Sequence, residues 1–365
     1  MVTQEKAKSR IISFDVVRAL AIFLVVLCHA AEAIYPNEAL TNNHSKLIFI
    51  VTFTIGRIGV PFFLFLTGAL VLKKQIDSDK DVLHFYKKNL LPLFIVNTVW
   101  IVLYNLYFLV CGQGDKVTLD AFFRELFLVD LVPVPNMWYM PMILGVYVAI
   151  PFVAKIAKSF SKKGLALASV VVFAACFVVP LINVILQICG VDSKQLLSHY
   201  PDVSFLGGVY GLYIFVGYWL ASKEIKIKLK TIWLLLIALL SFGITCLIQF
   251  ISFGEGSHYK YYVWYNFPFL LVCGACLFEI INRFDYKKIS KRVLSVINFI
   301  SRASLGIFFL HIVTQQLMYY SIATLGIMLP VKLIILAILN FVLCVVVCYL
   351  LSKIKFIGRW VLLIK

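Results

Sequence analysis

The sequence predicts an all-α integral-membrane protein, a polytopic bundle of ten transmembrane helices with both termini in the cytoplasm. Three observations carry that prediction. Hydrophobic residues make up 62% of the 365 positions and the mean hydropathy is +0.97, whereas a soluble domain averages about 45–50% apolar. The apolar residues fall into ten segments long enough to cross a bilayer, near 11–35, 46–72, 87–111, 137–158, 165–189, 204–222, 230–252, 260–282, 296–325 and 330–352. Finally, basic residues alternate from one turn to the next.

That alternation sets the orientation. The tail 1–10, the loops near 73–88, 155–163, 223–230 and 283–292, and the end 353–365 hold 25 of the 34 Lys and Arg. The intervening loops hold only Lys46, Lys116, Arg124, Lys194, Lys260 and Lys332. An excess of Lys and Arg marks the cytoplasmic side. A net charge of +17 would suggest nucleic acid in a soluble protein. Here the charge is a topological signal, and no nucleic-acid partner is expected.

Taken in order, residues 1–10 form a cytoplasmic tail, 11–352 a ten-helix membrane domain, and 353–365 a basic interfacial tail on anionic lipid. The first segment is too long for a signal-peptide core and lacks a small-residue cleavage site, so it reads as a retained anchor. Gly56, Gly59, Pro61, Pro92, Gly145, Pro151, Pro180, Gly217, Pro268 and Gly274 interrupt several spans. Membrane helices tolerate such residues where neighbours satisfy the freed backbone. Between the third and fourth spans, Leu119, Phe122, Phe123, Leu126 and Phe127 follow a helical period. Two readings of that helix stand: lying on the membrane surface, or packed over a cavity mouth. Most of the nine cysteines lie inside spans and read as small apolar residues. Cys273 and Cys276 have C-x-x-C spacing without histidine partners, so no metal is expected. Cys111 and Cys189 could approach each other near one surface.

Ionisable residues inside spans are costly and mark candidate sites. The first span carries Asp15, Arg18, His29 and Glu32. At 100° per residue Arg18 and His29 differ by about 20° around the helix and lie roughly 16 Å apart along it, with Asp15 and Glu32 within about 60°. His29, with Glu32 beside it, suits either proton transfer or transient acylation as an acyl carrier; a structural histidine bonded between helices is the other reading. Arg57, deep in the second span, could share its depth and steady a developing oxyanion, or pair with Glu32 or Asp15 for assembly. Trp138 and Tyr139 open the fourth span, as an interfacial belt or as a sugar-binding lid. Arg302 and Ser304 open the ninth, suited to the phosphates of a cofactor or of lipid. His311 lies about ten residues further along. His44, His84, His199 and His258 sit in or beside loops and are assigned nothing.

Four motifs then stand in order: Ser13-Phe-Asp-Val-Val-Arg18 with ten residues to His29; Arg57 to Val60-Pro-Phe-Phe-Leu-Phe-Leu-Thr-Gly68; Met137-Trp-Tyr-Met140; and Ser304-Leu-Gly-Ile-Phe-Phe-Leu-His311. This order resembles membrane acyltransferase family 3 over essentially the whole chain. The resemblance implies transfer of an acyl group, commonly acetyl from acetyl-CoA, onto hydroxyls of extracytoplasmic or lipid-linked carbohydrates. It assigns the first-helix roles to Arg18 and His29, and the second-helix role to Arg57. With it, Asp15, Arg18, Arg302 and Ser304 are expected to hold the acyl-CoA, and Trp138, Tyr139 and His311 the acceptor glycan. The expected location is the cell membrane, bacterial and cytoplasmic.

Two departures stand out. Val16 and Ala19 occupy positions where glycine is commoner, and Asn136 stands where many members have histidine. No fused esterase-like domain is seen, so the chain is expected to complete transfer itself or to pass acyl groups to a separate protein. A transporter or flippase, with the polar stripe lining its pathway, is the rival reading, and a non-catalytic scaffold a further one.

Overall fold

The computed structural model describes residues 10–35, 42–191, 195–197, 208–222, 227–252 and 264–364. The tail 1–9, the starts of two predicted spans at 204–207 and 260–263, and His199, His258, Lys194, Lys223, Lys226 and Lys260 lie outside the described residues. Among the described residues the chain is helical throughout, without strands.

The helices are α1 (Ile12–Ile34), α2 (Asn43–Arg57), α3 (Gly59–Val71), α4 (Asp79–Phe85), α5 (Leu91–Val110), α6 (Leu119–Leu126), α7 (Tyr139–Ser159), α8 (Lys162–Phe173), α9 (Val179–Ile188), α10 (Gly208–Leu220), α11 (Thr231–Ser252), α12 (Pro268–Arg283), α13 (Lys291–Ala323), α14 (Leu329–Ser352) and α15 (Lys355–Trp360). Eight described stretches are long and apolar enough to cross a membrane: Ile12–Ile34, Asn43–Val71, Asp79–Val110, Tyr139–Ser159, Lys163–Ile188, Thr231–Ser252, Lys291–Ala323 and Leu329–Ser352. The other two predicted spans correspond to α10 and α12, whose described lengths are 13 and 16 residues. At 1.5 Å per residue those fall short of the roughly 30 Å hydrocarbon core.

Prolines explain the irregularities. Pro92 and Pro180 each follow a five-residue π-helical stretch, Tyr86–Leu90 and Ala174–Val178. A proline has no N–H for the carbonyl four residues back, and a widened turn absorbs the lost bond. Pro61 likewise cannot donate to the carbonyl of Arg57, and the chain breaks between α2 and α3 at Ile58.

The first helix is the hub, packed on α2, α3, α12, α13 and α14. Close approach is built in at two crossings. A Cβ on Gly56 would lie 2.7 Å from Cys28 Cα, so α1 and α2 touch backbone to side chain there. Between α3 and α10, a Cβ on Gly68 would lie 1.8 Å from the Ile214 carbonyl oxygen, and one on Gly217 2.1 Å from that of Phe65. Small residues let membrane helices pack at such distances, where dispersion and weak polar contacts replace the missing hydrophobic drive.

Peripheral elements are also tied down. Thr118 caps α6, its hydroxyl accepting from the Ala121 N–H at 3.1 Å. The Asn105 Nδ2 of α5 donates to Glu125 Oε2 at 2.7 Å, while Leu119, Phe123 and Phe127 stay exposed. The helix is therefore fixed to the bundle through Glu125, Phe122 and Leu126, and open on the side of Leu119, Phe123 and Phe127. Burial pushes the Glu125 carboxyl up, partly offset by Asn105. The segment read as an interfacial tail forms α15, with Lys353, Lys355 and Arg359 exposed and Leu362 fully buried in the bundle. The Trp100 indole donates to the Val361 carbonyl at 2.8 Å. All nine cysteines are free, including Cys111 and Cys189.

Two outcomes are expected. Gly68→Ala overpacks the α3–α10 crossing at a cost of about 1–3 kcal/mol, read as a lowered unfolding temperature in detergent; an unchanged temperature would contradict the crossing. Because Glu125 titrates above the ordinary carboxylate value of about 4.3, its contribution to holding α6 is present at low pH and is lost as pH rises through its raised value. Hydrogen exchange over 119–130 should accelerate with pH beyond the intrinsic rate in wild type, and this excess should vanish in Glu125→Gln.

Candidate active site

Two cavities lie along α1. The first, of about 140 Å³, is bordered on α1 by Val25, Cys28, His29 and Glu32 and on the α2–α3 segment by Phe53, Gly56, Arg57 and Val60. Both sets follow the i, i+3, i+4, i+7 spacing of one helix face, so two matching faces confront each other where Gly56 allows contact. Pro135, Asn136, Trp138, Tyr139, Trp264, Tyr265, Phe308 and Phe63 close it.

Within it, His29 Nδ1 lies 2.7 Å from Glu32 Oε2. A carboxylate only accepts, so Nδ1 carries the hydrogen, and in the neutral imidazole Nε2 keeps the lone pair. The side chains of His29 and Glu32 are 15% and 36% exposed, so the pair stays partly accessible within the cavity. Gln315 of α13 donates to the His29 carbonyl at 3.1 Å. Arg57 is buried, its guanidinium carbon 3.8 Å from the Trp264 ring centroid, 5.0 Å from Tyr265 and 5.1 Å from Phe53. Stacking on ring faces offsets the cost of a desolvated cation by about 2 kcal/mol or more.

The second cavity, of about 400 Å³, is bordered by Arg18, Tyr147, Ser301, Arg302 and Ser304, with Phe63, Tyr139 and Phe308 again at its edge. Asp15 is buried behind it: the Ser301 hydroxyl donates to Asp15 Oδ1 at 2.8 Å, and Arg18 Nη1 donates to that hydroxyl at 3.4 Å. Arg10 grips both Asp15 oxygens. The chain Arg10–Asp15–Ser301–Arg18 aims a cation into a chamber that also holds Arg302, which is exposed. Arg18 and His29, eleven residues and roughly 16 Å apart along one helix, thus border different chambers.

The expected residues therefore divide. His29, Glu32, Arg57, Trp138 and Tyr139 share the smaller cavity, and Arg18, Arg302 and Ser304 the larger, which Tyr139 also borders. His311 borders neither. It is fully buried, its ring centroid 5.2 Å from that of His29 and its Nδ1 2.7 Å from the Phe308 carbonyl. That places it against His29 and outside the residues that border either cavity. Among the described residues no group of three or more His, Cys, Asp or Glu could hold a metal ion.

Sequence reasoning did not single out Trp264, Tyr265, Phe63, Phe308 or Ser301. Aromatic and hydroxyl residues are ordinary in spans, and only the tertiary arrangement distinguishes these. Asn136 carried a signal, standing where the resembled family commonly has histidine; its Nδ2 donates to the Phe308 carbonyl at 2.9 Å.

The chain was compared with known proteins on this footing. It finds no match among curated proteins or solved structures. A family model described as an acyltransferase domain, that of acyltransferase family 3, matches residues 11–353. That match spans nearly the whole chain and both cavities, so the protein is a membrane acyltransferase and belongs to acyltransferase family 3.

Proposed function

We propose that the protein moves an acetyl group from acetyl-CoA onto a hydroxyl of an extracytoplasmic or lipid-linked carbohydrate. It does so in a cell membrane, the bacterial cytoplasmic membrane by the resemblance, with ten spans and both termini in the cytoplasm. In this reading the larger cavity faces the cytoplasm and the smaller one the opposite side. α10 and α12 complete the ten spans together with the residues flanking them.

The observation that carries the reading is the His29–Glu32 pair, with Arg57 on the facing helix of the same small cavity. Glu32 holds the imidazole with its Nε2 lone pair available. His29 takes the proton of the acceptor hydroxyl as the oxygen bonds to the thioester carbonyl carbon. The carbon–sulfur bond then breaks, and the proton passes from His29 to the departing sulfur, leaving an ester and free CoA thiol. Arg57 faces the negative charge that gathers on the carbonyl oxygen, where a preorganised cation in a dry site is worth most. Trp138 and Tyr139 line the approach of the sugar. A donor carrying several negative charges fits the larger cavity, where Arg18 and Arg302 would hold its phosphates, Ser304 completes the polar lining, and Asp15 behind it holds the Ser301 hydroxyl.

The test is release of CoA and transfer of label from radiolabelled acetyl-CoA by the protein in nanodiscs. His29→Ala should abolish transfer while eluting as folded protein. Glu32→Ala should lower kcat by about 10²–10⁴, the range for a positioned acid–base group, with KM for acetyl-CoA nearly unchanged. Near-normal transfer by folded His29→Ala would overturn the mechanism. Failure of the wild type to bind any acyl-CoA would return the polar stripe to the transport reading.

A further inference from the structure

The two cavities share three residues, Phe63, Tyr139 and Phe308, each from a different element. Phe63 sits on α3, Tyr139 is the first residue of α7, and Phe308 lies inside α13. The Tyr139 ring centroid is 5.5 Å from that of Phe308 and 6.4 Å from that of Phe63. The three rings therefore form a partition one aromatic layer thick between the chamber of Arg18 and the chamber of His29. Its frame is pinned. The Phe308 carbonyl accepts from Asn136 Nδ2 at 2.9 Å and from His311 Nδ1 at 2.7 Å. The Phe63 carbonyl accepts from Thr67 Oγ1 at 2.9 Å.

Resting on the proposed transfer reaction, we infer that this partition sets the length of the acyl group transferred. An acyl group held from the larger cavity reaches His29 only by displacing these rings, and its tail then shares the smaller cavity with the acceptor hydroxyl. That cavity, about 140 Å³, is close to the roughly 150 Å³ that just admits a benzene-sized guest. A two-carbon acyl group and the hydroxyl-bearing carbon of a sugar fill it. A six-carbon chain does not fit beside the acceptor, and its tail would have to thread back between Phe63 and Phe308. Discrimination by a fixed apolar wall is about 10- to 200-fold per methylene. Selection for a short acyl group thus arises from the partition and not from the cationic chamber, whose volume of about 400 Å³ leaves room for longer chains.

The experiment measures CoA release by the full chain in nanodiscs from acetyl-, butyryl- and hexanoyl-CoA. It compares wild type with Phe63→Ala, Phe308→Ala and the milder Phe63→Val and Phe308→Leu, which preserve folding should the larger truncations fail. The readout is the hexanoyl-to-acetyl ratio of kcat/KM. The wild type should favour acetyl by at least about tenfold, and the ratio should rise about tenfold or more in a folded partition variant. Equal use of the two donors by wild type would overturn the filter, as would folded variants whose ratio stays within about twofold of wild type. Either result leaves the acyltransfer reading intact. No CoA release from any donor by wild type would remove that reading, and the filter with it.

Discussion

Charged groups within a helix of hydrocarbon length must find partners in protein, and the bundle is arranged around that requirement on α1. Asp15 is met by Arg10 on its own segment and by Ser301 on α13, and Arg18 leans on the same hydroxyl. At the other end the His29 carbonyl takes Gln315, again from α13. Leaving such groups unmatched would cost several kcal/mol each. The same contacts that satisfy α1 therefore fix α13 beside it, bringing Ser304 and Phe308 to the cavity edges.

Placing cation and imidazole on one helix face has a geometric result. One continuous helix holds Arg18 and His29 at a set separation, so in the proposed mechanism donor anchoring and proton transfer share one rigid ruler. The residues between Arg18 and His29 are mostly buried, among them Ala21, Ile22, Leu24, Val25 and Val26, and their packing keeps the ruler straight. Facing it, Phe53, Gly56, Arg57 and Val60 keep one helix face across the interruption at Ile58, and Arg57 enters the smaller cavity from that face.

The sequence made some of this legible and hid the rest for physical reasons. Asp15, Arg18, His29, Glu32 and Arg57 stand out because charge is rare inside spans, and helical period alone put Arg18 and His29 on one face. Period could not tell that two chambers, and not one, lie along that face. It could not separate His311, buried against His29 and bordering neither cavity, from residues that line one, since both occupy apolar segments. Phe63 and Phe308 lay inside two of the quoted motifs, but nothing set them apart among 31 phenylalanines as a shared wall, because a partition is a relation between three elements distant in the chain. Pro61 hinted at the break after Arg57, but the cage of Trp264, Tyr265 and Phe53 around the guanidinium depends on tertiary packing.

The α3–α10 crossing bears on how the chambers communicate. With the backbones of the two helices in direct contact at Gly68 and Gly217, α3 cannot slide or tilt toward α10 without driving carbonyl oxygen into Cα. Phe63 hangs from this immobile post. In the proposed mechanism, passage between the chambers would work like a door with one fixed jamb: the give has to come from ring rotation or from the start of α7, where Tyr139 is the leaf.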